Sequence, residues 1–329
     1  MVINKPPVQF ALAVITVLAL PLFLSSGILA GEILVFALVV AACNLLLGYT
    51  GLLSFGQGIF FGVGSYAAGI LLTRTGIPVG VVLPLAAVMG ATIATIVGAL
   101  SIRQSGVYFV MLTLAFAQMF YFLAYTFSGL TGGDNGLLDV PRPTLAGNYL
   151  VDPWPYYWFV AVCFLVLFGA MLIVTRSTFG RTLIAVRENA ERAAAIGFPV
   201  RIFKIVAFAI SGAVTAFAGG LHAMLIGVAP LSNIEYHTSE MILIMTIIGG
   251  SSSLFASVLG AGFYMLLADA LSTIMPRWLL ILGLVLITVA LFLQKGLWGL
   301  VERLWAAITH QRAPAQGDTL PDDLTSGKG

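Results

Sequence analysis

Charge is what this sequence has least of. Only 9% of its 329 residues are charged, against roughly 25% in an ordinary soluble domain. Fifteen Lys and Arg with 13 Asp and Glu must serve the whole chain, too few to keep a globule of this length dissolved. A soluble enzyme and a nucleic-acid binder are excluded. Cysteine is nearly absent as well: Cys43 and Cys163 each sit in an apolar run, so neither a disulfide framework nor a cysteine metal site is expected. Short strands of alternating polarity are missing, which excludes a transmembrane β-barrel. No G-x-x-x-x-G-K-[ST] phosphate loop occurs; the one Gly-Lys pair is Gly327-Lys328, so the chain has no ATPase motif of its own.

What is present is apolar sequence, 60% of the chain, with 36 glycines and a mean hydropathy of +1.06. Glycine at this density suits helices packed closely in lipid. A helix needs about 20 apolar residues to cross the hydrocarbon core. Runs at 8–30, 79–100, 106–127, 154–175 and 205–227 meet that length, and a shorter one at 277–294 lies between Arg277 and Lys295. The first run is too long for a signal-peptide core and has no clear cleavage site, so it reads as a span. Stretches 33–73 and 239–275 are too long for one crossing and carry Gly48-Tyr49-Thr50-Gly51 and Gly249-Gly250-Ser251-Ser252-Ser253 inside them.

The placement of charge decides how these are counted. The segment Arg176–Lys204 holds six basic residues and two acidic ones, Glu188 and Glu191. Each would cost about 2.5–3.5 kcal/mol at mid-membrane, and an Arg/Lys excess marks the cytoplasmic side. Lys5, Arg103, Lys295, Arg303 and Arg312 are expected on that side too. The loop Ser128–Pro153, with Asp134, Asp139 and Asp152 against Arg142, is expected outside, together with Glu235 and Glu240. Stretches 33–73 and 239–275 then cross an even number of times, as paired spans or re-entrant hairpins. The expected fold is all-α and polytopic, with 8–10 transmembrane or re-entrant helices, both termini cytoplasmic, a membrane domain over 1–305 and a disordered cytoplasmic tail over 306–329. Broken, glycine-rich segments in corresponding positions point to a translocation pathway. Gly62-Val63-Gly64-Ser65-Tyr66 and Gly260-Ala261-Gly262-Phe263-Tyr264 read either as the echo of a duplication or as small residues for close packing.

The basic segment reads as a short helix capped by Thr178, ended by Gly197 and stopped by Pro199. Leu183, Val186 and Ala190 fall on one face, which a partner is expected to bury. Polar residues inside spans are the pathway candidates: Asn44, Gln57, Gln118 and Asp269, with Ser252 in the second broken stretch. For Asn44 and Gln118 an interhelical hydrogen bond is the competing reading. Asp269 is expected near the outer interface. His222 and His237 flank an outer loop without a carboxylate triad and read as exposed loop histidines; no metal site and no cofactor is expected.

Glu191-Arg192-Ala193-Ala194-Ala195-Ile196-Gly197 resembles the EAA-x-x-x-G loop of bacterial ABC importer permeases, with Arg192 in place of the usual first Ala. Gly48-Tyr49-Thr50-Gly51-Leu52-Leu53-Ser54-Phe55-Gly56 resembles the G-Y-x-G-x-x-S-x-G signature of the branched-chain amino acid ABC permease family. Thr131-Gly132-Gly133-Asp134-Asn135-Gly136-Leu137 with Pro141-Arg142-Pro143 looks like that family's outer loop, and Gly180-Arg181 through Arg187-Glu188 to Gly197 and Lys204 like its cytoplasmic loop. The resemblance spans 33–300 and is nearest to the LivM-type subunit. Two places depart from the pattern: Gly249-Gly250-Ser251-Ser252-Ser253-Leu254 lacks the family's G-G-x-G-T and following Pro, and Phe292-Leu293-Gln294-Lys295-Gly296-Leu297-Trp298-Gly299 lacks the Pro of F-x-P-x-G-L-x-G.

The resemblance implies a non-enzymatic permease subunit in a bacterial inner membrane, importing branched-chain or other amino acids, or alternatively urea and short amides. It implies two ABC ATPase subunits, a second permease of the LivH type and a periplasmic or surface-tethered binding protein as partners, besides membrane lipid. It also implies an ATPase-coupling helix that uses Gly180, Arg181, Arg187, Glu188, Glu191 and Gly197. Two other classes remain for comparison. A stand-alone secondary transporter would favour intramembrane carboxylates, which are scarce here. A membrane enzyme would need a cluster of His, Asp, Glu or Cys at one depth, which is not apparent.

Overall fold

The computed structural model describes residues 6–142, 144–145, 148–149, 152–251, 253–274, 277–292 and 296–308. Lys5, Ser252, Lys295, Arg312 and the tail residues 309–329 lie outside the described residues. Among the described residues the chain is all-α apart from a hairpin of two-residue strands, β1 (Thr144–Leu145) and β2 (Asn148–Tyr149).

The apolar run 8–30 is not one helix. α1 (Pro6–Phe23) ends, and α2 (Gly27–Asn44) begins on Ser26, whose hydroxyl accepts the Leu29 amide at 3.4 Å. A serine cap starts a helix without lowering the mean hydropathy enough to show as a gap. α2 runs on through a π-helical turn, Leu45–Thr50, until Gly51 at φ +72° reverses the chain. After an irregular segment, α3 (Gln57–Thr75) follows. Next come α4 (Val79–Ser101), α5 (Val107–Thr126) and the short α6 (Ser128–Thr131). Past the hairpin lie α7 (Pro153–Arg176), α8 (Thr178–Glu188), α9 (Ala190–Ala195) and α10 (Val200–Ile226). α11 (Tyr236–Gly249), α12 (Ala256–Ile274), α13 (Trp278–Phe292) and α14 (Gly296–Ile308) complete the described chain.

Seven of these helices are long and apolar enough to cross a membrane: α1, α2 with its π turn, α4, α5, α7, α10 and α12. With α3, α11 and α13 the bundle reaches the upper end of the expected eight to ten. Both long stretches resolve into helix pairs, yet each pair has a member that starts inside the bundle. Gln57, the first residue of α3, is bonded to Ser211, about 16 Å along α10 at 1.5 Å per residue. The Gly58 amide donates to Ser239 Oγ in the first turn of α11 at 2.7 Å. The two half-length starts therefore meet at one depth.

α2 is the most buried span, and α3, α4 and α10 pack tightly against one another, with glycine setting their spacing. A Cβ on Gly64 would lie 1.9 Å from the Ala216 carbonyl oxygen, and one on Gly90 would lie 2.2 Å from Ala216 Cβ. Backbones this close exclude any side chain at the crossing and gain contact over their full length. Across the seam Ser65 Oγ donates to Gly219 O at 2.9 Å. His222 is not a loop residue. It is buried in the last third of α10, 5.1 Å from the Phe61 ring and 5.7 Å from Phe36, with Nδ1 3.3 Å from the Asn233 amide nitrogen. α10 runs to Ile226, so the expected loop begins one turn later than the histidine. His237 is exposed and pairs with Glu240 at 3.4 Å.

Replacing Gly64 with Val is expected to lower stability by about 1–3 kcal/mol through overpacking, or to prevent folding. Gly80→Ala, where a Cβ meets nothing within 4 Å, leaves the melting temperature unchanged or slightly raised. Thermal unfolding of the detergent-purified variants, followed by size-exclusion chromatography, checks this. A Gly64→Val protein that melts like the wild type contradicts the packing.

Candidate functional site

The basic segment folds as two helices where the sequence indicates one. Ser177, one residue before the expected Thr178, caps α8 and accepts the Gly180 amide at 3.5 Å. Asn189 interrupts the helix in an extended conformation and caps α9, accepting the Arg192 amide at 2.8 Å. An asparagine favours a cap over a helix interior because its side chain competes for the backbone amide. Gly197, at φ +94°, ends α9 as the sequence indicates.

Leu183 and Val186 are buried, but by this chain and not by a partner. Their face rests on α7, on α10 and on the π turn of α2, and Ala190 is half-buried. Gly180 allows the close contact, since a Cβ there would lie 2.1 Å from Thr175 O. The exposed surface is a different one: Ile184 at the side, Ile196 (71% exposed) and Phe198 (42%) at the end of α9. Between α8 and α9 lies a hollow of about 340 Å³ bordered by Arg181, Ala185, Glu188, Arg192 and Ile196. Glu188 and Glu191 are exposed.

Arg187 leaves this surface and turns back. Its stem covers Gly51, where a Cβ would approach it to 3.1 Å, and its Nη1 donates to the carbonyl of Gly48 in the π turn. Gly48 in turn faces the α11–α12 connection, with Ser251 O 2.8 Å from where its Cβ would be. Phe255 in that connection meets the fully buried ring of Trp298 in α14, centroids 5.8 Å apart. The basic segment, both helix breaks and α14 thus form one continuous contact. A second cleft of about 580 Å³ opens between Tyr49, Thr175, Arg176, Arg181, Ile184 and Arg187.

The candidate pathway residues separate. Gln57 is fully buried, donating to Ser211 Oγ at 3.0 Å and accepting from Thr215 Oγ1 at 2.9 Å, while Ser211 donates to Ala42 O at 2.7 Å. One amide thereby joins α2, α3 and α10. Asn44 is also buried, donating to Ser253 O at 2.9 Å and Ser257 Oγ at 3.3 Å; its Oδ1 has no hydrogen-bond partner and sits over Gly48. Gln118 lies on the exposed side of α5, among Met111, Phe122 and Tyr125. Ser252 falls outside the described residues. Asp269 is exposed near the end of α12. Glu235 and Glu240 flank the start of α11, and the Glu235 carbonyl lies beside Gly58 because 227–235 folds back along α3. Ser211, Thr215 and Trp298 escaped the sequence reading. The spacing of Ser211, Thr215 and Gly219 within an apolar run was the available signal, one helix face at i, i+4 and i+8.

Among the described residues no group of three His, Cys, Asp or Glu could hold a metal ion. No solved structure is significantly similar to the chain. The high-affinity branched-chain amino acid transport system permease protein LivM of Escherichia coli K12 is 28% identical over 312 residues, covering 87% of this chain and 73% of the relative. The L-arabinose transport system permease protein AraH of the same strain is 35% identical over 144 residues, 43% of this chain and 41% of AraH. The autoinducer 2 import system permease protein LsrC of Enterobacter sp. strain 638 is 34% identical over 164 residues, 47% of this chain and 45% of LsrC. The profile of one family matches residues 27–291, from the first residue of α2 almost to the end of α13, and so includes both helix breaks and the basic segment between them. The chain belongs to the branched-chain amino acid transport system permease component family.

Proposed function

We propose that this chain is one permease subunit of a bacterial ABC importer for branched-chain amino acids, working by alternating access in the inner membrane. The observation that carries the reading is the tie from α8 to the break in α2 through Arg187 and Gly48 O. A push on the exposed end of α9 would be felt where the backbone of α2 is already interrupted. Two ATPase subunits supply the push, one of them docking on Ile196, Phe198 and the hollow beside them. A LivH-type permease completes the membrane pair, and a periplasmic or surface-tethered binding protein delivers the substrate. The α8–α9 end and both termini then face the cytoplasm, in keeping with the excess of Arg and Lys there. Branched-chain amino acids are preferred over the sugar and autoinducer 2 named for AraH and LsrC because the likeness to LivM extends over 87% of the chain, whereas those two cover 43% and 47%.

In this mechanism the Gln57–Ser211–Thr215 node holds α2, α3 and α10 in register while the segments around Gly48 and Ser251 move. Glu191, at the start of α9, and Gly197, at its end, shape the docking surface. Gly197 has open space around its Cβ position but a left-handed φ, so an L-residue there strains the backbone by about 1–2 kcal/mol.

Ile196→Glu, Glu191→Lys and Gly197→Asp are each expected to abolish uptake and ATPase co-purification, with membrane level and melting temperature unchanged for the first two. Uptake of labelled leucine in cells, beside pull-down of the ATPase, checks this; normal transport in all three defeats the reading. Gln57→Leu, which strands the Thr215 hydroxyl, is expected to cost about 1–3 kcal/mol. Thermal unfolding reads that loss, and a Gln57→Leu protein as stable as wild type argues against the node.

A further inference from the structure

The cleft beside the π turn is roomy, and its chemistry is one-sided. It measures about 580 Å³, many times the roughly 30 Å³ share of one water. Arg176, Arg181 and Arg187 line it, and none of its described lining residues is acidic. Glu188, next along α8, borders the other hollow instead, with Arg181 and Arg192. Arg187 spends one nitrogen on Gly48 O and has further donors on the same guanidinium. Arg176 is engaged within the chain as well, and like Arg187 its guanidinium carries five N–H donors, more than one partner uses; three such forks around one space match the oxygens of a phosphate group.

Depth identifies the source. Arg176 is the last residue of α7, a 24-residue apolar helix. Ile173, one turn earlier, is 74% exposed on the hydrocarbon-facing side. The cleft therefore begins where the span ends, at the level of lipid headgroups. Tyr49 and Ile184 add an apolar wall suited to a glycerol backbone. Basic pockets between helices at this level bind anionic headgroups.

We propose that Arg176, Arg181 and Arg187 form a binding site for a phosphate group, supplied by the headgroup of an anionic phospholipid. A lipid held there would join the end of α7, the start of α8 and the π turn. It would brace the joint through which α8 acts on α2.

The test uses the full-length chain, purified and delipidated, titrated with short-chain phosphatidylglycerol or phosphatidylcholine and read by native mass spectrometry. The expected result is selective retention of phosphatidylglycerol, weakened about fivefold for each arginine removed in Arg181→Gln and in Arg176→Gln/Arg181→Gln, the worth of one basic residue beside an anionic surface. Arg303→Gln, on α14 and outside the cleft, binds like wild type. Arg181→Lys keeps the charge without the fork and falls between the two, which preserves the test should Arg181→Gln fail to fold. Inorganic phosphate is titrated in parallel. Displacement of phosphatidylglycerol by millimolar phosphate, with the same arginine dependence, supports the phosphate site and assigns it to the free ion. Equal binding of both lipids, or wild-type binding by the arginine variants, overturns the proposal. So does loss of ATPase co-purification in those variants with lipid binding unchanged, since the cleft would then belong to a protein partner.

Discussion

The constraint on which this molecule depends is that backbone amides and carbonyls inside a bilayer have no water to bond. The chain nevertheless leaves α-helical conformation at 51–56, at 227–235, where Leu231–Ile234 forms only a 3-10 turn, and at 250–251 and 253–255. Each interruption survives because the protein covers it and supplies partners. In the first, Leu52 N donates to Leu46 O, Phe55 N to Thr113 Oγ1 and Gly56 N to Ser54 Oγ. In the second, Ala229 and Leu137 exchange amides as a two-residue bridge, and Asn233 reaches Ser65. In the third, Gly250 N closes on Thr246 O.

Covering the breaks sets the rest of the architecture. The π turn and the start of α3 must lie against α10, and α10 can lie that close only because glycine occupies the crossings at 64, 90, 212 and 219. The same economy of side chains leaves room at Gly48 for three approaches at once: Asn44 Oδ1, the α11–α12 connection and the Arg187 guanidinium. A segment held by so many contacts from different elements is a place where displacement of one element is passed to others. Trp298, wedged under Phe255, extends that contact to α14.

Much of this was legible in the residues. Apolar run length locates the long spans within a few positions, since a bilayer imposes length more strictly than any propensity does. The Gly-Tyr-Thr-Gly and Gly-Gly-Ser-Ser-Ser interruptions mark both breaks. Other features lie beyond one-dimensional pattern. Ser25-Ser26 splits the first run, yet averaging over a window hides two small polar residues. Asn189 divides the basic helix because its carboxamide caps α9, a choice decided by one hydrogen bond. The inward face of Leu183 and Val186 looks available in sequence because amphipathicity reveals that a face is covered and not what covers it. The same limit applies to Gln57: a lone amide in a span has equal standing as pathway or as pin, and only the positions of Ser211 and Thr215 show that all its polar atoms are engaged. His222 illustrates the effect of boundaries, one extra helical turn changing an exposed loop residue into a buried one.

The central claim is that force from a separate ATPase, applied at α8–α9, moves a membrane segment that this chain has no means to drive alone. Its most direct measurement is leucine uptake into proteoliposomes containing the purified chain alone, the chain with its second permease, and the full assembly with ATPase subunits and binding protein, each with and without ATP. The account predicts uptake only in the full assembly and only with ATP. ATP-independent accumulation by this chain alone, against a leucine gradient and driven by an imposed ion gradient, would contradict it.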